Sequence, residues 1–459
     1  MAKKDVNMLS GSVVKGLLTI SIPVMVMNVL QSVFNIVDMT VLKTFDTAGG
    51  GSAVGAVGVC GSLISAITGL VIGIATGANV ITARYIGSGD QDSVDRSVRT
   101  AMAFAVCAGL ALAVIGISFA ELFLRWTNCP EGLLSEAVLY FRLYFAGVPI
   151  LMVYNFCAAL LRSVGNARGP MVYLTLGGVV KVTCNLLLVG VFHLGVTGVA
   201  VSTILSWGVA TALALRALTG NESKVRLRLG KIRFYRAELK QILHIGVPAG
   251  LQQVLWAVAN VAIIATVNSY GEAATTGVSI AGNYDNLLYH ICMATGFAIT
   301  PYVSQNVGAH NIKRAKEAVW KGCVITVCLG AVFGALMAVF ADPLSSIMSS
   351  DPEAIAYSRQ RMVLLSSTYF ICGVYSILGE ALRGMGKPMV ATVNTLLYMC
   401  ALRFVWVYVI YPLLPADLTF LYLVWPVGWV LSIATMLPIF FVTTKKLARK
   451  YAPQPIKAE

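Results

Sequence analysis

Twelve apolar runs follow one another along the chain, each roughly twenty residues or more, so each is long enough to cross the ~30 Å hydrocarbon core of a bilayer as a helix. They lie at 16–42, 55–83, 99–122, 135–160, 170–191, 195–217, 242–268, 276–303, 319–341, 359–381, 389–411 and 419–441. With 58% hydrophobic and 12% charged residues, the chain holds about half the charge of an ordinary soluble domain. An all-α, multi-pass membrane protein is therefore expected. The first run is too long for a signal-peptide core and shows no small-residue cleavage site. It is expected to stay in the mature protein.

The runs are two copies of one pattern. Leu161-Arg162-Ser163-Val164-Gly165 returns 221 residues later as Leu382-Arg383-Gly384-Met385-Gly386, each followed by a Pro-Met pair, Pro170-Met171 and Pro388-Met389. Ile86-Gly87-Ser88 matches Val307-Gly308-Ala309, and Phe119-Ala120-Glu121 matches Phe340-Ala341-Asp342, at the same spacing; Ile22-Pro23 matches Val247-Pro248 at 225. Six crossings per copy is an even number, so both copies start on the same side of the membrane. The expected architecture is two six-helix lobes related by a parallel pseudo-two-fold repeat. Residues 1–218 form the amino-terminal lobe, 219–241 a linker, 242–442 the carboxy-terminal lobe and 443–459 a basic tail.

A formal net charge of +14 raises the question of nucleic acid, and its distribution answers it. Of 34 basic residues, 27 fall before the first run or after the even-numbered ones, with the largest groups in the linker and the tail. The opposite loops are short and mostly acidic, with Asp46, Glu131, Glu136, Glu272, Asp351, Glu353 and Asp417. Short cytoplasmic loops collect Lys and Arg, so both termini are expected in the cytoplasm of a cell with the protein in its plasma or inner membrane. The charge is a topology signal, and no nucleic-acid partner is expected. Nine of ten cysteines sit in or at the ends of apolar runs without metal-ligand spacing, and only Cys129 lies in a loop; they read as small packing residues.

Polarity enters the membrane at few places. In the first run Asn28, Gln31, Asn35 and Asp38 fall within one arc of about 80° on a helix. An acid near the bilayer centre costs about 2.5 to 3.5 kcal/mol even on lenient scales, so this stripe should face protein or a wet cavity. The repeat maps these positions to Gln253, Trp256, Asn260 and Ile263, so the second copy loses the acid and the amino-terminal lobe is the expected home of the coupling ion. Tyr154, Asn155, Lys181 and Asn185 are candidates to complete a cavity around Asp38, Lys181 equally as a structural counter-ion. In the second half Asn283, Asn286 and His290 share a face beside Asp285. Glu380 is balanced between a local bridge to Arg383 and a coupling role, and Arg403 between counter-ion and cavity residue.

Enzymatic chemistry has no signature here. The chain lacks a Walker phosphate loop, a Gly-x-Ser-x-Gly elbow and a paired His-Glu metal motif, so no enzyme activity and no cofactor are expected. Gly73, Gly77, Gly87 and Gly89 read as close helix contacts, not as a dinucleotide fingerprint. Energy should come from an ion gradient or from downhill flow.

In these residues the chain resembles the multidrug and toxic compound extrusion (MATE) family. The resemblance rests on Asn35-Ile36-Val37-Asp38, on Arg84-Tyr85-Ile86-Gly87 with its partner Gln305-Asn306-Val307-Gly308-Ala309, on the two Leu-Arg-x-x-Gly turns, on Asn185-Leu186-Leu187-Leu188 and on Leu194-Gly195-Val196-Thr197-Gly198-Val199-Ala200. It implies twelve helices in two lobes, alternating access, and antiport of organic cations or other amphipathic toxic compounds against protons or sodium. It also implies that Asp38 is the coupling residue, helped by Asn35, Asn155 and Asn185, with a possible sodium at Asp38. Two positions depart: the family often has an Asp four residues after the fifth-helix Asn, here Val189, and some members an acid on the seventh helix, here Trp256. A single acid favours proton over sodium, because a sodium cage wants more oxygens.

The expectation is therefore an ion-coupled efflux antiporter acting as a monomer in the bilayer. Its substrate cavity is assigned to Asn28, Gln31, Tyr154, Lys181, Gln253, Trp256, Asn260, Asn283 and Glu380. The alternative is a flippase for a lipid-linked precursor, for which Arg142, Lys181 and Arg403 would have to hold a pyrophosphate. A membrane enzyme or structural protein ranks behind both.

Overall fold

A computed structural model describes residues 6–45, 52–127, 129–220, 225–415 and 417–451. Lys3, Lys4, Asp46, Lys224 and Lys457, which enter the topology count, lie outside these residues. The described residues form helices and turns, with no β-strand among them. The long helices are α1 (Val13–Phe45), α2 (Ser52–Ser88), α3 (Gln91–Ser118), α4 (Glu131–Ser163), α5 (Arg168–Val191) and α6 (Gly195–Thr219). The second half supplies α7 (Arg236–Asn268), α8 (Glu272–Gly308), α9 (Ile312–Val339), α10 (Pro352–Ser366 and Tyr369–Gly384), α11 (Pro388–Leu413) and α12 (Leu418–Lys450). Eleven are long and apolar enough to cross a membrane singly; α10, bent by 49° between its two segments, completes twelve.

The helices overrun the apolar runs. α2 and α8 each have 37 residues, about 55 Å at 1.5 Å per residue, so their polar last turns stand beyond the hydrocarbon. The repeated motifs explain how the helices end. Gly165 and Gly386 take φ of +86° and +81°, and the next residue's N–H returns to the carbonyl five residues back, Asn166 to Leu161 at 3.0 Å and Lys387 to Leu382 at 2.9 Å. This left-handed stop satisfies the last carbonyls of α4 and of α10, and only glycine adopts it without steric cost. Proline then opens the following helix, inside the first turn of α5 and at the first residue of α11. The Phe-Ala-acid repeat also has a structure: it starts two short helices, Ala120–Trp126 and Ala341–Ser346.

By packing, the chain divides into two compact units. One comprises Ile22–Thr82 and Gln91–Val254; the other comprises Val6–Ser21, Ala83–Asp90 and the chain from Leu255 onward. The repeat boundary and the packing boundary are thus different cuts of one chain. Within the first unit α2 meets the first half of α7 at Gly73, Gly77, Gly246 and Gly250. A Cβ on Gly73 would stand 2.3 Å from the Gly250 Cα, and one on Gly77 2.1 Å from the Ile242 carbonyl oxygen. Within the second unit the end of α2 crosses α8 through Gly87 and Gly308, where added Cβ atoms would stand 1.9 Å from the Gln305 carbonyl oxygen and 2.0 Å from that of Arg84. Small residues let transmembrane backbones touch, and van der Waals contact then does the work that hydrophobic burial does in water.

Candidate functional site

Asp38 stands late in α1, buried, and two side chains of α5 meet it. Lys181 forms an ion pair with its Oδ2, and the Asn185 Nδ2 donates to its Oδ1 at 2.6 Å. Only 12% of the Lys181 side chain and 10% of that of Asp38 are exposed, so the pair belongs to the interior, where breaking it would strand a charge. Glycine makes the approach possible. A Cβ on Gly178 would lie 1.9 Å from the Phe34 ring, and one on Gly177 would lie 2.6 Å from the Ser206 carbonyl oxygen, so α5 packs against α1 and α6 on bare backbone. Lys181, three residues beyond Gly178, then reaches Asp38, four beyond Phe34.

Asn185 is fully buried, its Oδ1 has no partner among the described residues, and a π-helical segment, Leu186–Val191, follows it directly. Wide turns of this kind often mark working sites in helices. Asn28, earlier on α1, is buried, its Nδ2 also without a partner among the described residues. Gln31 and Asn35 are exposed on the same helix. Tyr140, buried on α4, sets its ring 6.4 Å from that of Tyr144. Its neighbour Tyr144 bonds Thr68 at 3.1 Å and sets its ring edge-on to Trp207 at 5.0 Å.

Other expected site residues are placed elsewhere. The Tyr154 hydroxyl donates to the Pro170 carbonyl oxygen at 3.0 Å, joining α4 to the start of α5, and the Asn155 amide donates to Leu151 on its own helix at 2.9 Å. Gln253 packs against α2 at Gly69. Asn283 is exposed and donates to Ser279 one turn back. Glu380 is tied to Arg383 and accepts from Thr300 on α8.

The second unit carries its own cluster. Arg403 on α11 is 2% exposed, donates Nη1 to the Asn260 Oδ1 on α7 at 2.6 Å, and lies over the rings of Trp256 and Trp425 at 5.6 and 5.2 Å. Trp256 stacks on Tyr289 with centroids 5.6 Å apart. Asp285 is bound by Arg361 Nε at 2.8 Å, and the Arg361 guanidinium also lies over the Trp425 ring, at 5.0 Å. Arg361, Trp425 and Tyr289 are not foreseen by pattern. An Arg two residues inside an apolar run was the available signal for the first. The Pro-Met pairs are 218 residues apart (388 − 170), and that step carries Asn185 to Arg403, while the 225-residue step carries Asn35 to Asn260. The contact between first and fifth helices thus recurs between seventh and eleventh. Its polarity is changed: an acid with a lysine and an amide in one, an arginine with an amide in the other.

Comparison with known proteins gives consistent matches. The family model MatE matches residues 23–187 and 248–409, one block in each half. A protein of Bacillus subtilis called probable multidrug resistance protein YpnP is 26% identical over 87% of this chain and 89% of its own length. A protein of Shewanella oneidensis called FAD transporter is 25% identical over 85% of this chain and 86% of its own. A solved structure described as the outward-facing conformation of a multidrug resistance MATE family transporter superposes with a TM-score of 0.89, at 18% identity, over 98% of this chain and 100% of that one. The two-lobed, twelve-helix fold is therefore that of this chain.

Proposed function

Because the chain belongs to the multidrug and toxic compound extrusion (MATE) family, we propose that it is a secondary active efflux transporter that exports amphipathic organic compounds, organic cations among them, by alternating access in exchange for protons taken up at Asp38. The observation that carries this reading is the buried Asp38, held by Lys181 and Asn185 on the neighbouring helix. A proton arriving on Asp38 neutralises it and releases the Lys181 ammonium, so protonation and α1–α5 contact are one event. Loss of that proton re-forms the pair. The interaction differs between two protonation states, which is what a coupling residue needs in order to bias a conformational equilibrium.

Sodium is disfavoured in this scheme. The Lys181 ammonium already stands where a cation facing Asp38 would stand, and Val189 contributes no further carboxylate. The relatives' names, multidrug resistance and FAD transport, support an organic cargo. A lipid-linked flippase would need free basic groups for a pyrophosphate, and the neutralisation of Lys181 by Asp38 weighs against it.

The test is transport in proteoliposomes under an imposed proton or sodium gradient, with fluorescent amphipathic compounds as cargo. The proton gradient should drive export and a sodium gradient at equal pH should not. Asp38→Asn should reduce gradient-driven export to the leak of empty vesicles while the protein remains in the membrane. Undiminished export by that variant, or drive by sodium alone, overturns the reading.

A further inference from the structure

The cluster around Arg403 lies wholly within the second unit and has an excess of positive charge. It holds two guanidiniums, Arg361 and Arg403, which share the ring of Trp425, and one carboxylate, Asp285, already bound by Arg361. The balance is 2 − 1, a net charge of +1 in the interior. Among the described residues no carboxylate forms an ion pair with Arg403: Asp285 is paired with Arg361 and Glu380 with Arg383. A guanidinium has five N–H donors, and Asn260 is the acceptor that Arg403 reaches among the described residues. A buried cation with donors to spare and no counter-ion among the described residues is costly to keep for packing alone, since an apolar side chain of similar volume would serve better.

We propose that Arg403 is the anion-recognition residue of a substrate site, taking the carboxylate or phosphate group of a planar aromatic compound whose ring lies against Trp256. The fork of the guanidinium matches two oxygens of such a group, which a point charge does not. Asn260 accepts from one arm of the fork, and the guanidinium carbon lies over the rings of both Trp256 and Trp425. Trp256 and Asn260 are themselves only half-buried, which leaves an approach past both along α7. Trp256 stacks on Tyr289 at 20° between planes, so the two rings form an aromatic wall beside the guanidinium. The assignment rests on the efflux reading for the direction of transport and adds to its cargo one class that this site recognises: aromatic anions, or zwitterions that present an acidic group.

Three probes with one ring system decide this: 1-pyrenecarboxylate, 1-pyrenemethanol and 1-pyrenemethylammonium, added to the full-length protein in nanodiscs of zwitterionic lipid. Energy transfer from tryptophan to pyrene reports binding without any ion gradient. The carboxylate should bind roughly tenfold or more tightly than the ammonium, the range expected of a charged hydrogen bond. Arg403→Gln should bring the carboxylate to the affinity of the neutral alcohol, and Arg403→Lys should restore part of the difference. Should Arg403→Gln fail to fold, displacement of the bound carboxylate from the wild-type protein by benzoate, and not by benzylamine, supports the proposal in its place. Equal or tighter binding of the ammonium, unchanged carboxylate binding by folded Arg403→Gln, or displacement by benzylamine overturns the proposal. Binding is read without any gradient, so a preference for the carboxylate in a protein that no proton gradient drives is a failure of coupling alone, and gradient-driven export by a protein that binds the three probes equally is a failure of anion recognition alone.

Discussion

Lys181 is where the chemistry of this chain departs most from a simple acid in a membrane. A buried carboxylate with only Asn185 for a donor would be an isolated charge; with Lys181 it is half of a neutral pair. Removing one member of a buried pair usually costs about 3 to 5 kcal/mol, whereas replacing both by neutral groups costs far less or nothing. Lys181→Met and Asp38→Asn should therefore each lower the thermal midpoint of the purified protein. The double variant should recover more than half of the combined loss, as followed by the monodisperse fraction surviving a heating series. Additive losses would show that the two side chains do not depend on each other. Helical spacing made Asp38 readable as part of a stripe that must face protein or a wet cavity, and Lys181 and Asn185 as candidates around it; the family resemblance, not spacing, joined Asn185 to Asp38. Arg403 with Asn260 was not readable as a pair, because an arginine can reach in several directions from its helix and only packing selects one.

At the scale of elements, the repeat was visible in sequence because its anchors are backbone requirements. Gly386 must adopt φ of +81° to stop α10, so its identity is dictated by geometry; nearby Gly379, within the same helix, has an ordinary conformation. A Cβ on Gly386 would meet the Arg84 guanidinium at 2.8 Å, whereas one on Gly379 would find only the Met436 methyl at 3.9 Å. Gly386→Ala should thus destabilise the protein by about 1 to 2 kcal/mol for the left-handed backbone alone. Gly379→Ala should be neutral or stabilise by up to about 1 kcal/mol through helix propensity. Thermal unfolding of the two variants side by side checks the contrast, and an equal response would remove backbone conformation as the reason for the motif. The π-helical stretches Leu186–Val191, Leu396–Ala401 and Trp406–Ile410 had no such signature. They arise from one extra residue per turn inside an apolar run, and apolar periodicity does not register a single insertion. The 49° bend of α10 was hidden for the same reason, since both its segments fall in or beside one hydrophobic stretch.

At the scale of the whole molecule, twelve spans were countable because a bilayer fixes the length of each, and their order because charge alternates between loops. The tertiary division was not countable. The packing units take the first turns of α1 and the last of α2 from one repeat and give the first half of α7 to the other, at glycines whose role depends on a partner remote in sequence. What sequence leads one to expect at this scale is sidedness, through 27 of 34 basic residues assigned to one face. Glu272, at the start of α8, is exposed and is assigned by the charge pattern to the acid-rich face; Lys316, in the first turns of α9, is exposed and is assigned to the basic one. In a background with all ten cysteines replaced, Glu272→Cys should react with a membrane-impermeant maleimide on intact cells. Lys316→Cys should react only after the membrane is opened, and a green fluorescent protein fused to the carboxy terminus should fluoresce while an alkaline phosphatase at the same place stays inactive. The two cysteines bracket a single helix, α8, so they test the crossing itself as well as its direction. Labelling of both from outside would abolish the crossing, and labelling of Lys316→Cys alone on intact cells would invert the protein in the membrane and with it the direction in which a proton gradient drives cargo.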